Sequence, residues 1–104
     1  DSFMADDGAV SPPAVRRTDE FEKSLACLPP KIRKLVDERI ALFVQSPHHP
    51  LRILRASPLR NRDEWHFRVN IQYRVWYRKE ATAQGMVYWL TWVGSHAEQD
   101  SRLG

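Results

Sequence analysis

From Trp65 to Tyr77, apolar residues fall on every second position: Trp65, Phe67, Val69, Ile71, Tyr73, Val75 and Tyr77. His66, Arg68, Asn70, Gln72 and Arg74 lie between them, and only Trp76 breaks the pattern. A period of two belongs to half-buried strands, because successive side chains point to opposite faces of a sheet. The polar set is therefore forced onto one outer face. The run is longer than a usual strand, so the pattern predicts a tight turn near residues 70–72 between two antiparallel strands. The stretch from Met86 to Val93 is apolar on both parities, as expected of a central strand covered on both sides. Gly85 is read as a turn and Gly94 as that strand's end.

The first half of the chain has a different period. Thr18 or Asp19 is placed to cap a short helix, with Glu22 three residues after Asp19 in capping-box position. Phe21, Leu25 and Leu28 share one face, and Leu28-Pro29 ends the helix because a residue before proline is pushed out of the α region. Pro30 opens a second helix. Its stripe is Ile32, Leu35, Val36, Ile40, Phe43 and Val44, and it stops before the turn segment Ser46-Pro47-His48-His49-Pro50. Val15 to Arg17 and Leu51 to Arg55 are read as further short strands. These elements predict an α+β fold: an N-terminal helical hairpin on one face of a curved, mainly antiparallel sheet of three to five strands. One domain is expected over residues 14–97, after a loose leader (1–13) and before a short tail (98–104) too brief for a closing helix.

Charge is concentrated where the strands are. Residues 52–79 carry Arg52, Arg55, Arg60, Arg62, Arg68, Arg74, Arg78 and Lys79 against Asp63 and Glu64, a local balance of +6 in a chain whose formal net charge is +3. Seven arginines and one lysine make a field for polyanions, with guanidiniums suited to bidentate phosphate contact. No apolar run approaches the ~18–20 residues of a membrane span. The single cysteine, Cys27, excludes an internal disulfide and is read as a small core residue. These features point to a cytoplasmic protein without a membrane or small-molecule cofactor partner. His48-His49 lacks a third ligand at metal spacing, so no metal site is expected.

Parity places His66 and Arg68 on one outer face, with Arg74 beside them on the next strand. His96, after Val93-Gly94-Ser95, reaches the mouth of that face if its strand pairs with the Tyr73–Arg78 strand. Two imidazoles with two guanidiniums suit phosphodiester chemistry, the rings moving protons and the arginines holding the phosphate. Arg52, Arg55, Arg60, Arg62, Arg78 and Lys79 are the accompanying candidates for RNA or phosphate binding. Most of the aromatic residues are explained as core; Trp76 and Trp89 are the exceptions open to base stacking.

In order along the chain, Phe21-Glu22-Lys23-Ser24-Leu25, Leu28-Pro29, Pro47-His48-His49-Pro50, Trp65-His66-Phe67-Arg68-Val69-Asn70, Tyr73-Arg74-Val75-Trp76-Tyr77 and Val93-Gly94-Ser95-His96 resemble the RelE/ParE superfamily of bacterial type II toxins. The resemblance implies a toxin neutralised by a cognate antitoxin protein. In RelE-type members it implies a metal-independent mRNA endoribonuclease acting on the ribosome, in which a 2′-hydroxyl attacks the adjacent phosphate. On that analogy Arg74 binds the scissile phosphate, Arg68 stabilises its developing charge, and His66 or His96 serves as general base or acid. Many members of the family that the chain resembles carry a tyrosine or phenylalanine a few residues after the glycine–histidine element. Residues 97–102 contain none, and Trp76 is the substitute stacking candidate. The alternatives implied are a ParE-like DNA gyrase inhibitor or a catalytically decayed toxin fold kept as a binding module. A plain RNA-binding role is a third.

Overall fold

The computed structural model describes residues 14–59 and 63–103. Its elements are β1 (Ala14–Arg17), α1 (Asp19–Ala26), α2 (Pro30–Gln45), a 3-10 turn (Arg52–Leu54), β2 (Ser57–Pro58), β3 (Trp65–Arg68), β4 (Tyr73–Thr82), β5 (Gly85–Ser95) and α3 (His96–Leu103). The five strands form one sheet in the order β1-β5-β4-β3-β2, antiparallel except for the parallel β1–β5 pair. This is the α+β architecture expected, with the helical hairpin packed on one sheet face. Leu51 to Arg55 departs from expectation. It forms the 3-10 turn, and the edge strand follows at Ser57–Pro58.

Thr18 caps α1, its hydroxyl accepting the Phe21 N–H at 3.1 Å while donating to the Leu90 carbonyl at 2.9 Å. The cap thus also fixes the helix to β5. Glu22 makes no capping box with Asp19; its carboxylate takes both Nε and Nη2 of Arg17, at 3.0 and 2.8 Å. Pro30 stands at the first position of α2. Cys27 is exposed rather than part of the core, because it lies past the last turn of α1 as its C-cap.

The hairpin delivers Phe21, Leu25, Val36, Ile40 and Phe43 to the main core. Phe43 is its hub. The ring stacks on Phe67 of β3 (centroids 4.8 Å apart, planes at 17°), tilts against Tyr77 of β4 at 4.8 Å, and meets Tyr88 of β5 edge-on at 5.6 Å. Such pairs contribute beyond simple area burial. The β3–β4 register sets Trp65 opposite Tyr77, His66 opposite Trp76, Phe67 opposite Val75 and Arg68 opposite Arg74. Odd positions therefore face the helices and even positions face away. Ile71 is the exception to the sequence pattern: it lies in the turn after β3 and is 79% exposed.

The other sheet face is partly covered, because residues 96–103 form a helix where only a short tail is expected. Ser95 and Glu98 build a capping box: the Ser95 hydroxyl accepts the Glu98 N–H at 3.2 Å, and the Glu98 carboxylate accepts the Ser95 N–H at 3.1 Å. Under this helix Trp76, Trp92 and Leu59 form a second small core with Leu103 against it. The Trp76 and Trp92 rings meet at 5.0 Å. A bulge makes this possible. Trp76 pairs with Trp92 but Tyr77 pairs with Leu90, so Thr91 is the extra residue on β5. The bulge switches parity, sending Tyr88, Leu90 and Val93 to the main core and Trp92 to the other face. Gly94 is needed because the Trp92 ring lies where its Cβ would be, and β5 itself continues to Ser95.

Replacing Phe43 with alanine should cost about 3–5 kcal/mol in urea unfolding, since it removes the ring shared by three strands. Ile71→Ala, at an exposed turn position, should stay within about 0.5 kcal/mol of wild type. Equal losses for the two would contradict this assignment of the core.

Candidate functional site

The turn between β3 and β4 is built by Asn70, whose side-chain oxygen accepts the N–H groups of Gln72 and Tyr73, both at 2.8 Å. Asparagine suits this because its short side chain hydrogen-bonds its own backbone two residues on. Arg74 reinforces the turn: Nη1 donates to the Asn70 carbonyl at 2.7 Å and the Tyr73 carbonyl at 3.0 Å. From α2, Arg39 Nε donates to the Val69 carbonyl at 3.0 Å. The turn fixes Arg68 directly opposite Arg74 on the outward parity. Burial, with the nearby positive charges of Arg68 and Arg55, pushes the Arg74 pKa below the ordinary guanidinium value. It stays protonated, because guanidinium does not lose its proton in proteins. With both Nη1 hydrogens engaged on carbonyls, the Nε–Nη2 edge is the side of Arg74 suited to an anion.

His66 is half-buried on the same face. Nε2 lies 2.8 Å from Ser57 Oγ on the neighbouring edge strand, and Nδ1 lies 3.2 Å from Gln99 Oε1 on α3. Its pKa is lowered, mainly by burial and further by the charges of Arg74 and His96; the Gln99 hydrogen bond acts in the opposite sense. His96 opens α3, its backbone N–H bonded to the Gln72 carbonyl and its side chain 55% exposed, with Nε2 3.8 Å from Asp100. The β4–β5 register, with Tyr73 opposite Ser95, is what carries His96 to this end of the sheet. His66, Arg68, Arg74 and His96 are thus gathered at one end of one face.

The other candidates divide. Arg52, Arg55 and Arg68, with Arg39, line a groove of ≈ 1020 Å³ whose wall also includes Ile53 and Ile71. The groove lies beside the imidazoles: among the described residues, His66, Arg74 and His96 are not in its lining. Arg55 holds a left-handed backbone (φ 49°) at the end of the 3-10 turn, a conformation costing a non-glycine residue about 1–2 kcal/mol. Arg60 and Arg62 lie outside the described residues. Arg78 is four residues beyond Arg74 on β4, about 13 Å away, near Asp63 and Glu80. Lys79 has the opposite parity, and its Nζ sits 3.7 Å over the Trp65 ring.

Trp76 corrects the stacking expectation. It is 0% exposed, enclosed by Trp92, Leu59 and α3, so it has no free ring face for a base. The second aromatic exception, Trp89, is partly buried and donates through Nε1 to Glu80 at 2.9 Å. Two residues at the site were not found from sequence: Ser57, on a strand of two residues, and Gln99, on the helix expected to be absent. The available signal was Ser95-His96-Ala97-Glu98, a capping-box spacing that announces the helix. Among the described residues no helix is long and apolar enough to cross a membrane, and no group of three or more His, Cys, Asp or Glu is placed to hold a metal ion.

Fold and site together define a small α+β protein with a cationic, imidazole-bearing end to its sheet. No family model matches the sequence, and no curated protein does. Solved structures do. The toxin–antitoxin complex RelBE2 from Mycobacterium tuberculosis matches with a TM-score of 0.59 and 25% identity, over 88% of this chain and 99% of that one. YafQ from E. coli matches with a TM-score of 0.67 and 10% identity, over 84% and 97%. A YoeB/ParE toxin from Agrobacterium tumefaciens matches with 0.61 and 14%, over 80% and 98%. The fold of this chain is thus the one shared by these RelE-, YafQ- and YoeB/ParE-type toxins.

The lowered His66 pKa has a consequence for stability. The unfolded chain takes up this proton near about pH 6.5, whereas the folded chain resists it until lower pH. The resulting stabilisation is complete above the unfolded value and is lost as pH falls through the folded one. The urea midpoint should therefore drop between about pH 7.5 and about pH 5, and His66→Gln should drop less. Identical pH profiles for the two proteins would contradict a depressed His66.

Proposed function

We propose that this chain is the toxin of a toxin–antitoxin pair, and that it inhibits translation as a metal-independent endoribonuclease cutting mRNA on the ribosome. The observation that carries the reading is a half-buried imidazole with a lowered pKa next to two guanidiniums facing each other across strands. Neutral imidazole near physiological pH is the form that accepts a proton. Fixed cations placed before the reaction begins stabilise charge as it develops.

In the proposed step His66 takes the proton of a ribose 2′-hydroxyl as that oxygen bonds to the adjacent phosphorus. The bond from phosphorus to the 5′-oxygen breaks, and His96 returns a proton to the leaving oxygen. Arg74 holds the phosphate through its Nε–Nη2 edge, and Arg68 offsets the charge gathering on the phosphoryl oxygens. The groove lined by Arg52 and Arg55 supports a track for the flanking RNA backbone, since basic grooves follow phosphates without reading sequence. The partner supported by the likenesses is a cognate antitoxin, because RelBE2 is a toxin–antitoxin complex.

Purified protein should cleave a reporter mRNA on programmed ribosomes. Arg74→Ala should cut the rate by about 10²–10³-fold, the scale of removing one preplaced charge-stabilising donor. Arg78→Ala, remote from the imidazoles, should stay close to wild type. If wild type and Arg74→Ala cleave alike, or wild type leaves the message intact, the nuclease reading fails, and trapping of gyrase cleavage complexes then tests the ParE-like alternative.

A further inference from the structure

Gln99 is 4% exposed, and its side-chain oxygen faces two nitrogens: Trp76 Nε1 at 2.8 Å and His66 Nδ1 at 3.2 Å. An indole nitrogen only donates, so the Gln99 atom opposite it must be the oxygen and not the amide nitrogen. That oxygen offers His66 nothing but a lone pair, and Nδ1 must therefore carry the ring hydrogen. In a neutral imidazole the other nitrogen is then bare. Opposite it stands Ser57 Oγ at 2.8 Å, a hydroxyl able to donate into Nε2. The protons of Trp76, His66 and Ser57 have one consistent arrangement, and the indole at its far end decides it.

We infer that Gln99 is a positioning residue for His66. From α3 it locks the imidazole in the Nδ1–H tautomer and presents Nε2 as a base toward a hydroxyl group. Ser57 fills that hydroxyl position in the free protein, and a ribose 2′-hydroxyl takes it in the complex. The identity of the substrate hydroxyl rests on the ribonuclease reading above, whereas the tautomer does not. The groups facing the ring are Ser57 from β2, Arg68 on its own strand, Arg74 and Trp76 from β4, and His96 and Gln99 from α3, with Asp100 behind His96. Arg74 is a cation that disfavours a second ring proton. An amide at position 99 orients the ring while favouring that proton less than a carboxylate would.

The test is long-range ¹H–¹⁵N correlation of the histidine rings in the full-length labelled chain, titrated from neutral to mildly acid pH. Wild type should show His66 with a protonated Nδ1 and an unprotonated Nε2. Ser57→Ala should keep that tautomer. Gln99→Glu should also keep it while raising the His66 midpoint by about 1 unit or more, and should move the acid limb of the cleavage pH profile upward with it. Gln99→Leu should lose the tautomer preference. Should Gln99→Leu fail to fold, the wild-type and Gln99→Glu spectra decide the matter. A wild-type ring protonated at Nε2, or a Gln99→Glu midpoint equal to wild type, overturns the inference. If the ring behaves as described and RNA stays intact, the ribonuclease reading falls and the tautomer lock stands. If RNA is cleaved with the same acid limb in wild type and Gln99→Glu although the His66 midpoint has moved, His66 is not the base of the cleavage and that role falls while the tautomer lock stands. If the midpoint has not moved either, the lock falls and the ribonuclease reading stands.

Discussion

The site depends on the stacking of Phe43 against Phe67 and Tyr77. A strand has two faces and a period of two, so a slip by one residue would turn every side chain over. Holding Phe67, Val75 and Tyr77 against α2 leaves His66, Arg68 and Arg74 only the opposite side. The polar cluster is thus a consequence of apolar packing several ångströms away. The Asn70 turn then converts shared parity into proximity by setting Arg68 opposite Arg74.

A second constraint acts from the other face. Sheet and hairpin alone would leave Trp76 and Trp92 exposed, and the bulge at Thr91 together with α3 encloses them. The helix also brings Gln99 and His96 to the imidazole end of the sheet. Arg102 reinforces this closure, its guanidinium lying 5.1 and 4.8 Å from the Trp76 and Trp92 rings while it pairs with Glu20 at 3.3 Å. One helix therefore seals a small core and furnishes two groups beside His66, which joins stability of the closure to geometry of the site.

Much of this was legible in the sequence where a period was long enough to read. The alternation from Trp65 to Tyr77 gave the two strands and their inward set, with the turn where residues 70–72 fall, and the stripe through Ile40 and Phe43 gave the second helix. What was illegible is local. Ile71 keeps the apolar parity but sits in a turn, where parity has no meaning. A two-residue strand at Ser57–Pro58 is too short for any periodic signal. The double-sided apolar run in β5 reflects a bulge as well as burial on both faces, and a single inserted residue leaves no mark in hydropathy. The helix after Ser95 is a different case, because its capping box is present in the sequence at Ser95 and Glu98. The burial of Trp76 depends on that helix, since an outward tryptophan is open to a base only if no helix covers it.

The central claim is that one end of this sheet holds an imidazole base and paired guanidiniums arranged for attack by a neighbouring hydroxyl on a phosphodiester. The most direct measurement is the chemistry of the ends left on RNA cut by the purified protein on ribosomes. Attack by the 2′-hydroxyl predicts a cyclic phosphate or its 3′-phosphate product on the upstream fragment and a free 5′-hydroxyl on the downstream one. A 5′-phosphate on the downstream fragment would require water as the nucleophile and would contradict the account.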